Sequence, residues 1–518
     1  MSNIFRLGFY ESSKGKEENT RLMKDSRADF IIIDPDSNKK SVEEFTREAK
    51  QIANEYHRAG TSYLWRCEST NWREFGIGPD GHDWYNCGKD AHRMNYPPET
   101  VRAIASVPEC LGIMHDEMEH AFINRNVSIT LSSKKLSKRP LFFPLCETKD
   151  VVQAEKYYEE QFKAYADSFL ANGSPRFMGE HVFPVLYHLF ARVGITPCYK
   201  QQKESYSNIQ AIIAGGASLQ YDTELWTCID MWYRLTYPGH SPNELKNNLL
   251  FSYLIGCDYS LVEGSNTFYD KDKDTTEVNE YGRVFTDFSK EYAGRDRGYS
   301  IRDYRPRIGI IRLDDSYWGQ GDPVAWLPVL YGNPNLKVDK RAKEWLKAMN
   351  LITFGESSKR TLTWSRIDVW SLRKHRSFCS MNSPVVFDDK VGKEKLESLE
   401  LCFLCGYHIS DKTLKAVSEL VREKGLIAVT PKRLAPDNIK AKAKGRQAEI
   451  PDGKGRWLVT NNPCSRFVKS RVSHLLGKKG EMAFRFKDRE LTMRISPDGE
   501  AFDNVTVKMI NEPQAAAR

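Results

Sequence analysis

Residues 109–120 read ECLGIMHDEMEH. An apolar run, Leu111-Gly112-Ile113-Met114, breaks off into His115, Asp116, Glu117 and Glu119. A strand buried on both faces reads as a short continuous apolar run rather than an alternating one. When such a run ends in acids, it is placing carboxylates where the strand leaves the core. Residues 221–226, YDTELW, show a similar mixture about a hundred positions later, with Glu224 as the candidate acid. The two stretches are read together as halves of one carboxylate site.

Working outward, strand-like runs fall at 4–11 (IFRLGFYE), 28–35 (ADFIIIDP), 61–68 (TSYLWRCE), 109–120, 176–181 (RFMGEH), 195–201 (ITPCYKQ), 219–225 and 257–264 (CDYSLVEG). Helical patterns separate them. The clearest is 41–60, where Ser41 and Glu44 form a capping box and Gly60 is a stop. Others lie at 19–24, 97–108, 149–170, 185–192, 208–217, 241–255 and 281–292. Strands alternating with helices predict parallel βα units. Eight units in about 300 residues predict a TIM (β/α)8 barrel over residues 1–303. An open doubly wound sheet is the alternative, but it would not put acids after nearly every strand.

The 518 residues allow two to four domains, and 40% hydrophobic with 28% charged residues fits a globular chain. Net charge is +8, yet the basic residues gather at 432–456 and 469–479, away from the acid-ended strands. That argues against a nucleic-acid partner. No window of about 18 apolar residues and no signal-peptide pattern is present, so no membrane partner and a cytoplasmic location are expected. The eleven cysteines are irregularly spaced. Cys402 and Cys405 form a CxxC without a second pair at zinc spacing, inside an apolar run that predicts core thiols. No metal and no cofactor are expected.

A second α/β pattern begins near Arg307: RIGIIRLDD, a helix at 337–348, SPVVFDD, LELCFLCGYHI, a helix at 411–424 and LIAVTP. It predicts a three-layer, flavodoxin- or amidotransferase-like domain at 304–435. Short alternating runs then predict a small β-domain at 436–518, with residues 436–455 as its linker.

Active sites of such barrels lie at the C-terminal strand ends. The rim expected there holds Asp34, Arg66, Glu68, Asp116, Glu117, Glu119, Glu180, Lys200, Asp222, Glu224 and Glu263, with His115, His181, Tyr199 and Trp226. Two carboxyl groups in different protonation states can break a glycosidic bond, one protonating the leaving oxygen and the other attacking or activating water. The many tryptophans (Trp65, Trp72, Trp84, Trp226, Trp232, Trp318) either pack in the core or stack on sugar rings. Asp34, Trp65, Arg66, Asp116, His181, Tyr199 and Trp226 are the candidate substrate contacts. For any single carboxylate after a strand, the ordinary role is a helix cap or an ion pair. His115 and His120 are read as structural.

With Glu117 at the fourth strand and Glu224 at the seventh, the chain resembles the clan A glycoside hydrolases. Its domain order is similar to that of family 42 β-galactosidases, and residues 400–431 resemble that family's middle domain. The resemblance implies a retaining glycosidase acting on an oligo- or polysaccharide, with Glu117 as acid/base, Glu224 as nucleophile and a homo-oligomer possible. Asp116 stands where the family has Asn, so Glu119 competes with Glu117, and Glu180 or Glu263 replaces Glu224 if the strand count slips. The alternatives are a metal-dependent barrel hydrolase or sugar isomerase using His82, His92, His115 and His181, and a non-catalytic carbohydrate-binding protein. HDEMEH spaces its histidines by five, so it is not the HExxH of metalloproteases. Asp270, Asp272 and Asp274 lack the glycine and glutamate of a calcium loop.

Overall fold

In a computed structural model, residues 3–11, 15–35, 40–67, 96–123, 142–202, 205–231, 240–264, 267–269, 277–320, 328–357 and 376–510 are described. Glu68, Trp72, His82, Trp84, His92, Trp232 and the aspartates at 270–274 lie outside them.

Eight parallel strands close into a barrel in chain order: β1 (Arg6–Tyr10), β2 (Phe30–Ile33), β3 (Ser62–Cys67), β4 (Cys110–His115), β5 (Phe177–His181), β6 (Ile195–Gln201), β7 (Trp226–Asp230) and β8 (Tyr259–Glu263). β8 pairs with β1, so no edge is left. Inside, Tyr10, Phe30, Ile32, Leu64, Met114, Met178, Cys198, Trp226, Cys228, Tyr259 and Leu261 pack as their own cluster. Each fully buried large apolar side chain contributes about 1.5–3 kcal/mol. Because side chains alternate along a strand, these residues fix which of their neighbours also point inward.

The helices begin where the sequence places caps. Ser41 Oγ accepts from Glu44 N at 3.2 Å and Glu44 Oε2 accepts from Ser41 N at 2.8 Å, starting Val42–Ala59. Asp150 Oδ1 accepts from Val152 N and Gln153 N at the head of Val151–Leu170.

One boundary differs with consequence. The helix expected at 208–217 runs from Ser207 to Tyr221, and it ends at Asp222 in the left-handed region, φ 53°. Gly215 and Gly216 are helical, as expected from the 208–217 pattern. A Cβ on Gly216 would lie 1.9 Å from Val386 O, so the glycine is there to let another strand approach. Residues 219–225 are therefore not the seventh strand. β7 starts at Trp226, and Glu224 precedes it.

The approaching strand belongs to a six-stranded sheet, built from β9 (Ile308–Arg312), β13 (Pro384–Asp388), β14 (Leu401–Cys405), β15 (Ile427–Thr430), β16 (Gln447–Asp452) and β17 (Gly455–Thr460). Its order is β13-β9-β14-β15-β17-β16, parallel except for β16. The parallel part has the 2-1-3-4-5 order of flavodoxin-like sheets. A small hairpin, β10 (Val329–Leu330) with β11 (Asn333–Lys337), precedes the helix Glu344–Ile352, which starts later than the helix expected at 337–348.

β12 (Met381–Asn382) joins β18 (Glu481–Arg485), β19 (Arg489–Ile495) and β20 (Phe502–Met509) in a four-stranded sheet. The boundary expected at 435/436 thus falls inside the α/β sheet. Residues 436–455, expected to be a linker, supply the helix Asp437–Lys442 and β16. Among the described residues, no helix is long and apolar enough to cross a membrane. Cys402 and Cys405 are buried free thiols in β14.

Candidate active site

Continuing the inward alternation by one step brings a polar side chain from every strand to the C-terminal mouth. Tyr10 comes from β1, Asp34 follows β2, Arg66 comes from β3, Asp116 follows β4, and Glu180, Lys200, Asp230 and Glu263 come from β5 to β8. Glu117 joins them from the turn after β4, with a left-handed φ of 43°. Such strain in a residue other than glycine persists only where the surroundings enforce it.

Two cations organise six carboxyls. Lys200 Nζ lies 2.9 Å from Glu117 Oε1, 2.9 Å from Glu263 Oε2, 3.4 Å from Asp230 Oδ2 and 3.5 Å from Glu180 Oε2. Arg66 Nη2 lies 2.7 Å from Asp116 Oδ2, and its Nη1 lies 3.4 Å from Asp34 Oδ2. The Arg66 guanidinium also sits 5.1 Å from the Tyr10 ring centroid. Glu117 Oε2 accepts from His120 Nδ1 at 3.0 Å.

These contacts push the carboxyls apart in protonation. Burial raises Glu180 well above the usual carboxylate range, outweighing Lys200 and favouring its neutral form. Burial works the same way on Asp116, but Arg66, a hydrogen bond from Glu180 and the charge of Lys200 carry Asp116 below its ordinary value. Glu117 is also lowered, because Lys200 and His120 outweigh burial. Burial pulls the Lys200 pKa down, yet Asp230, Glu117, Glu180 and Glu263 hold it well above the ordinary value. Around a buried ammonium the site thus sets Glu180, pushed toward its neutral form, beside Asp116 and Glu117, pushed toward their ionised forms.

Reach separates the carboxyls further. The side chains of Glu117 and Glu263 are 15% and 13% exposed, against 1% for Asp230 and 0% for Glu180. Of the four carboxyls around Lys200, Glu117 and Glu263 are thus the ones open to a ligand in the mouth, with Asp34, 32% exposed, beside them on the Arg66 side.

Several expected site residues lie elsewhere. Glu224 sits at the opposite, N-terminal rim, before β7. Arg176 grips it with two hydrogen bonds, 2.7 and 2.9 Å, and Trp226 Nε1 donates to it at 3.0 Å. Burial raises its pKa, but Arg176 brings it below the ordinary value. Trp226 stacks on Tyr259 at 3.8 Å and closes the barrel floor. Glu224 and Trp226 are thus parts of a plug, a full barrel length from Glu117.

Glu119 turns away from the mouth. Its Oε1 accepts from Val182 N and Phe183 N, both at 2.7 Å, and burial raises its pKa well above the usual value. Trp65, His181 and Tyr199 have outward parity and lie in the helix layer. Trp65 Nε1 donates to Tyr96 at 3.3 Å. His181 Nδ1 donates to Val185 O at 3.0 Å, and burial pushes its pKa down to about 3. The Tyr199 hydroxyl meets Cys257 Sγ at 3.6 Å. Asp34, Arg66, Asp116, Glu117, Glu180 and Glu263 are the expected residues that do meet at the mouth.

Three members of the site carry no role in the sequence reading. Lys200 reads as one base among rim acids, although its spacing of two from the inward Cys198 fixes its direction. Asp230 lies beyond the strand expected at 219–225. His120 reads as structural, and in the fold it binds Glu117.

No protein-family model and no curated protein matches the chain. Among solved structures, it is similar to the catalytic module of a family 98 glycoside hydrolase from Streptococcus pneumoniae TIGR4, at 10% identity and a TM-score of 0.47, over 98% of this chain and 75% of that one. It is also similar to an exo-carrageenase of family 42 from Bacteroides ovatus (8%, TM-score 0.42, 97% and 74% covered). A third is the exo-β-1,4-mannosidase Op5Man5 from Opitutaceae bacterium strain TAV5 (9%, TM-score 0.38, 98% and 86% covered). These are distant likenesses of overall shape, so residue roles are taken from the geometry of this chain alone.

Proposed function

We propose that the chain is a glycoside hydrolase that cleaves an O-glycosidic bond of an oligo- or polysaccharide with Glu117 and Glu263. One observation carries this reading: the two accessible carboxyls around Lys200 flank its single ammonium, each 2.9 Å from Nζ. Their nearest oxygens are thus no farther apart than twice that distance. That bound is compatible with the roughly 5–5.5 Å carboxyl spacing of retaining enzymes, the mechanism proposed for this pair.

In this scheme Glu117 protonates the leaving oxygen while Glu263 attacks the anomeric carbon. Water then enters on the vacated side, Glu117 removes its proton, and the bond to Glu263 breaks. Lys200 holds both carboxyls in place, while Arg66, Asp34 and Asp116 line the adjoining wall for sugar hydroxyls. Because Lys200 keeps Glu117 below its ordinary pKa, the protonated form needed for the first step grows as pH falls. The activity is therefore expected to peak on the acid side of neutrality.

A metal-dependent reading has one observation in its favour: Glu180, Cys228 and Glu263 offer ligand atoms within 4.8 Å of one another. The Lys200 ammonium already supplies positive charge beside Glu180 and Glu263, and burial raises the Cys228 thiol, disfavouring the thiolate a metal needs.

The test is a panel of aryl glycosides and polysaccharides, assayed with and without chelator, using wild type, Glu117→Gln and Glu263→Gln. Chelator-resistant cleavage that falls about 10²–10⁴-fold in each variant is expected. Full activity in both variants would remove these residues from the chemistry, and loss of activity on chelation would favour the metal reading.

A further inference from the structure

Trp318 belongs to the α/β domain, on the loop that follows β9, yet its ring stacks on Phe183 of the barrel at 4.0 Å and 15°. Phe183 follows β5, and its ring meets the His120 imidazole edge-on at 5.0 Å. His120 Nδ1 in turn lies 3.0 Å from Glu117 Oε2. Three aromatic rings in contact thus run from the second domain to the carboxyl proposed to protonate the leaving group.

Both ends of this chain of contacts are fixed. On the domain side, Trp318 N donates to Gln320 Oε1 at 2.9 Å, and Gln320 Nε2 donates to Val329 O at 3.2 Å. Tyr331 N donates to Ser316 Oγ at 2.6 Å, holding Ser316 in a left-handed conformation, φ 63°. On the barrel side, Phe183 N donates to Glu119 Oε1, which comes from the same turn as Glu117. Trp318 is 1% exposed. It therefore has no face to offer a sugar, and its reach toward the site is through Phe183 and His120.

We propose that Trp318 is a positioning residue that the α/β domain supplies to the barrel: by bracing Phe183 it orients His120, and through His120 it sets the Glu117 carboxyl. The catalytic part of this statement rests on the glycosidase reading, while the bracing of His120 does not. A misplacement of about 1 Å at a reacting group can lower the rate about 10²-fold, which is the scale expected when the brace is removed.

The experiment compares wild type with Trp318→Leu, Trp318→Phe and Phe183→Leu in protein labelled with 15N-histidine. The His120 ring signals are assigned by their loss in His120→Asn, and the remaining histidine signals report that the chain is folded. Trp318→Leu and Phe183→Leu are expected to shift the His120 ring-nitrogen resonances, while Trp318→Phe, which keeps a ring against Phe183, leaves most of the signal in place. In glycoside hydrolysis, Trp318→Leu should lower kcat about 10- to 100-fold with KM within about twofold, and Trp318→Phe should restore most of it. Unmoved His120 resonances in both leucine variants would overturn the proposal. So would a raised KM with unchanged kcat, the mark of a substrate contact. If wild type cleaves no glycoside, the functional reading falls while the resonances still decide the bracing.

Discussion

Replacing Lys200 by methionine keeps the length of the side chain and removes the charge that four carboxyls share. At an effective dielectric constant of about 20, two unit charges 4 Å apart attract by about 4 kcal/mol before desolvation is counted. Lys200 Nζ makes three such contacts, with Glu117, Glu263 and Asp230 at 2.9–3.4 Å, and a fourth, at 3.5 Å, with Glu180, while only 2% exposed. Desolvation of the ammonium offsets much of that attraction, but removing one partner leaves the others buried and unpaired, at a cost of about 3–5 kcal/mol. That is a large fraction of the stability of a typical domain, about 5–15 kcal/mol. The dependence on pH has a definite sign. Lys200 lowers the folded-state pKa of Glu117, so its stabilisation is present above the unfolded carboxylate pKa and is lost as pH falls through the folded value. The Lys200→Met deficit should therefore be largest near neutrality and shrink on acidification, as the crowded carboxyls take up protons. Thermal unfolding of wild type and variant, followed by tryptophan fluorescence at neutral and acid pH, measures it. A variant as stable as wild type at neutral pH, or a deficit that does not change with pH, would refute the ammonium's role as keystone of the mouth.

Glu224→Gln should lower stability by about 1–3 kcal/mol, because it weakens the charge-assisted grip of Arg176, while kcat stays within about twofold of wild type; kinetics on the folded variant would detect a catalytic role if there were one. Glu119→Gln should be tolerated within about 1 kcal/mol, since an amide oxygen accepts from Val182 N and Phe183 N as the protonated carboxyl does, whereas Glu119→Ala leaves both donors unpaired and costs about 2–5 kcal/mol; equal denaturation midpoints for the two variants would contradict this. Gly216→Ala forces a methyl against Val386 O, and should loosen the helix Ser207–Tyr221 from β13 at a cost of about 1–3 kcal/mol or more, read as a fall in unfolding temperature together with faster hydrogen exchange along that strand.

The contrast between Glu117 and Glu224 shows what the sequence held and what it hid. Short apolar runs ending in acids were enough to count eight βα units, because a parallel strand buried on both faces has little other sequence to choose from. They placed Glu117, Glu180 and Glu263 at the mouth through local information: each follows an inward apolar residue by a fixed step along its own strand or lies on the turn after it. Glu224 failed because its position depends on where a helix ends. The helix read at 208–217 has no glycine beyond it to mark its stop, and the true end at Asp222 uses a left-handed aspartate instead of a glycine. A shift of a few residues there exchanged one end of the barrel for the other. Trp65, His181 and Tyr199 failed for a different reason. Each lies in the right strand, but a period of two sends it to the opposite face. Lys200 and His120 carry no motif at all; their roles come from convergence of β4, β6 and β8, which only the closed barrel creates. The boundary at residue 436 was misplaced because β16 and β17 alternate like the strands of a small β-domain, while their pairing with β15 makes them the edge of the α/β sheet.

The most direct test of the carboxyl pair is covalent trapping. A glycoside with fluorine at C2 and a good leaving group, of the sugar type that the wild-type panel identifies, slows the second step of a retaining enzyme more than the formation of its glycosyl ester. The intact mass after incubation, followed by peptide mapping, reports whether one sugar is attached and to which residue. One equivalent of label on Glu263, absent when Glu117 alone is left to react in Glu263→Gln, is the predicted result. A label on any other carboxyl, or an enzyme that turns over the native bond with inversion and never accumulates the ester, would contradict the assignment of Glu263 as nucleophile.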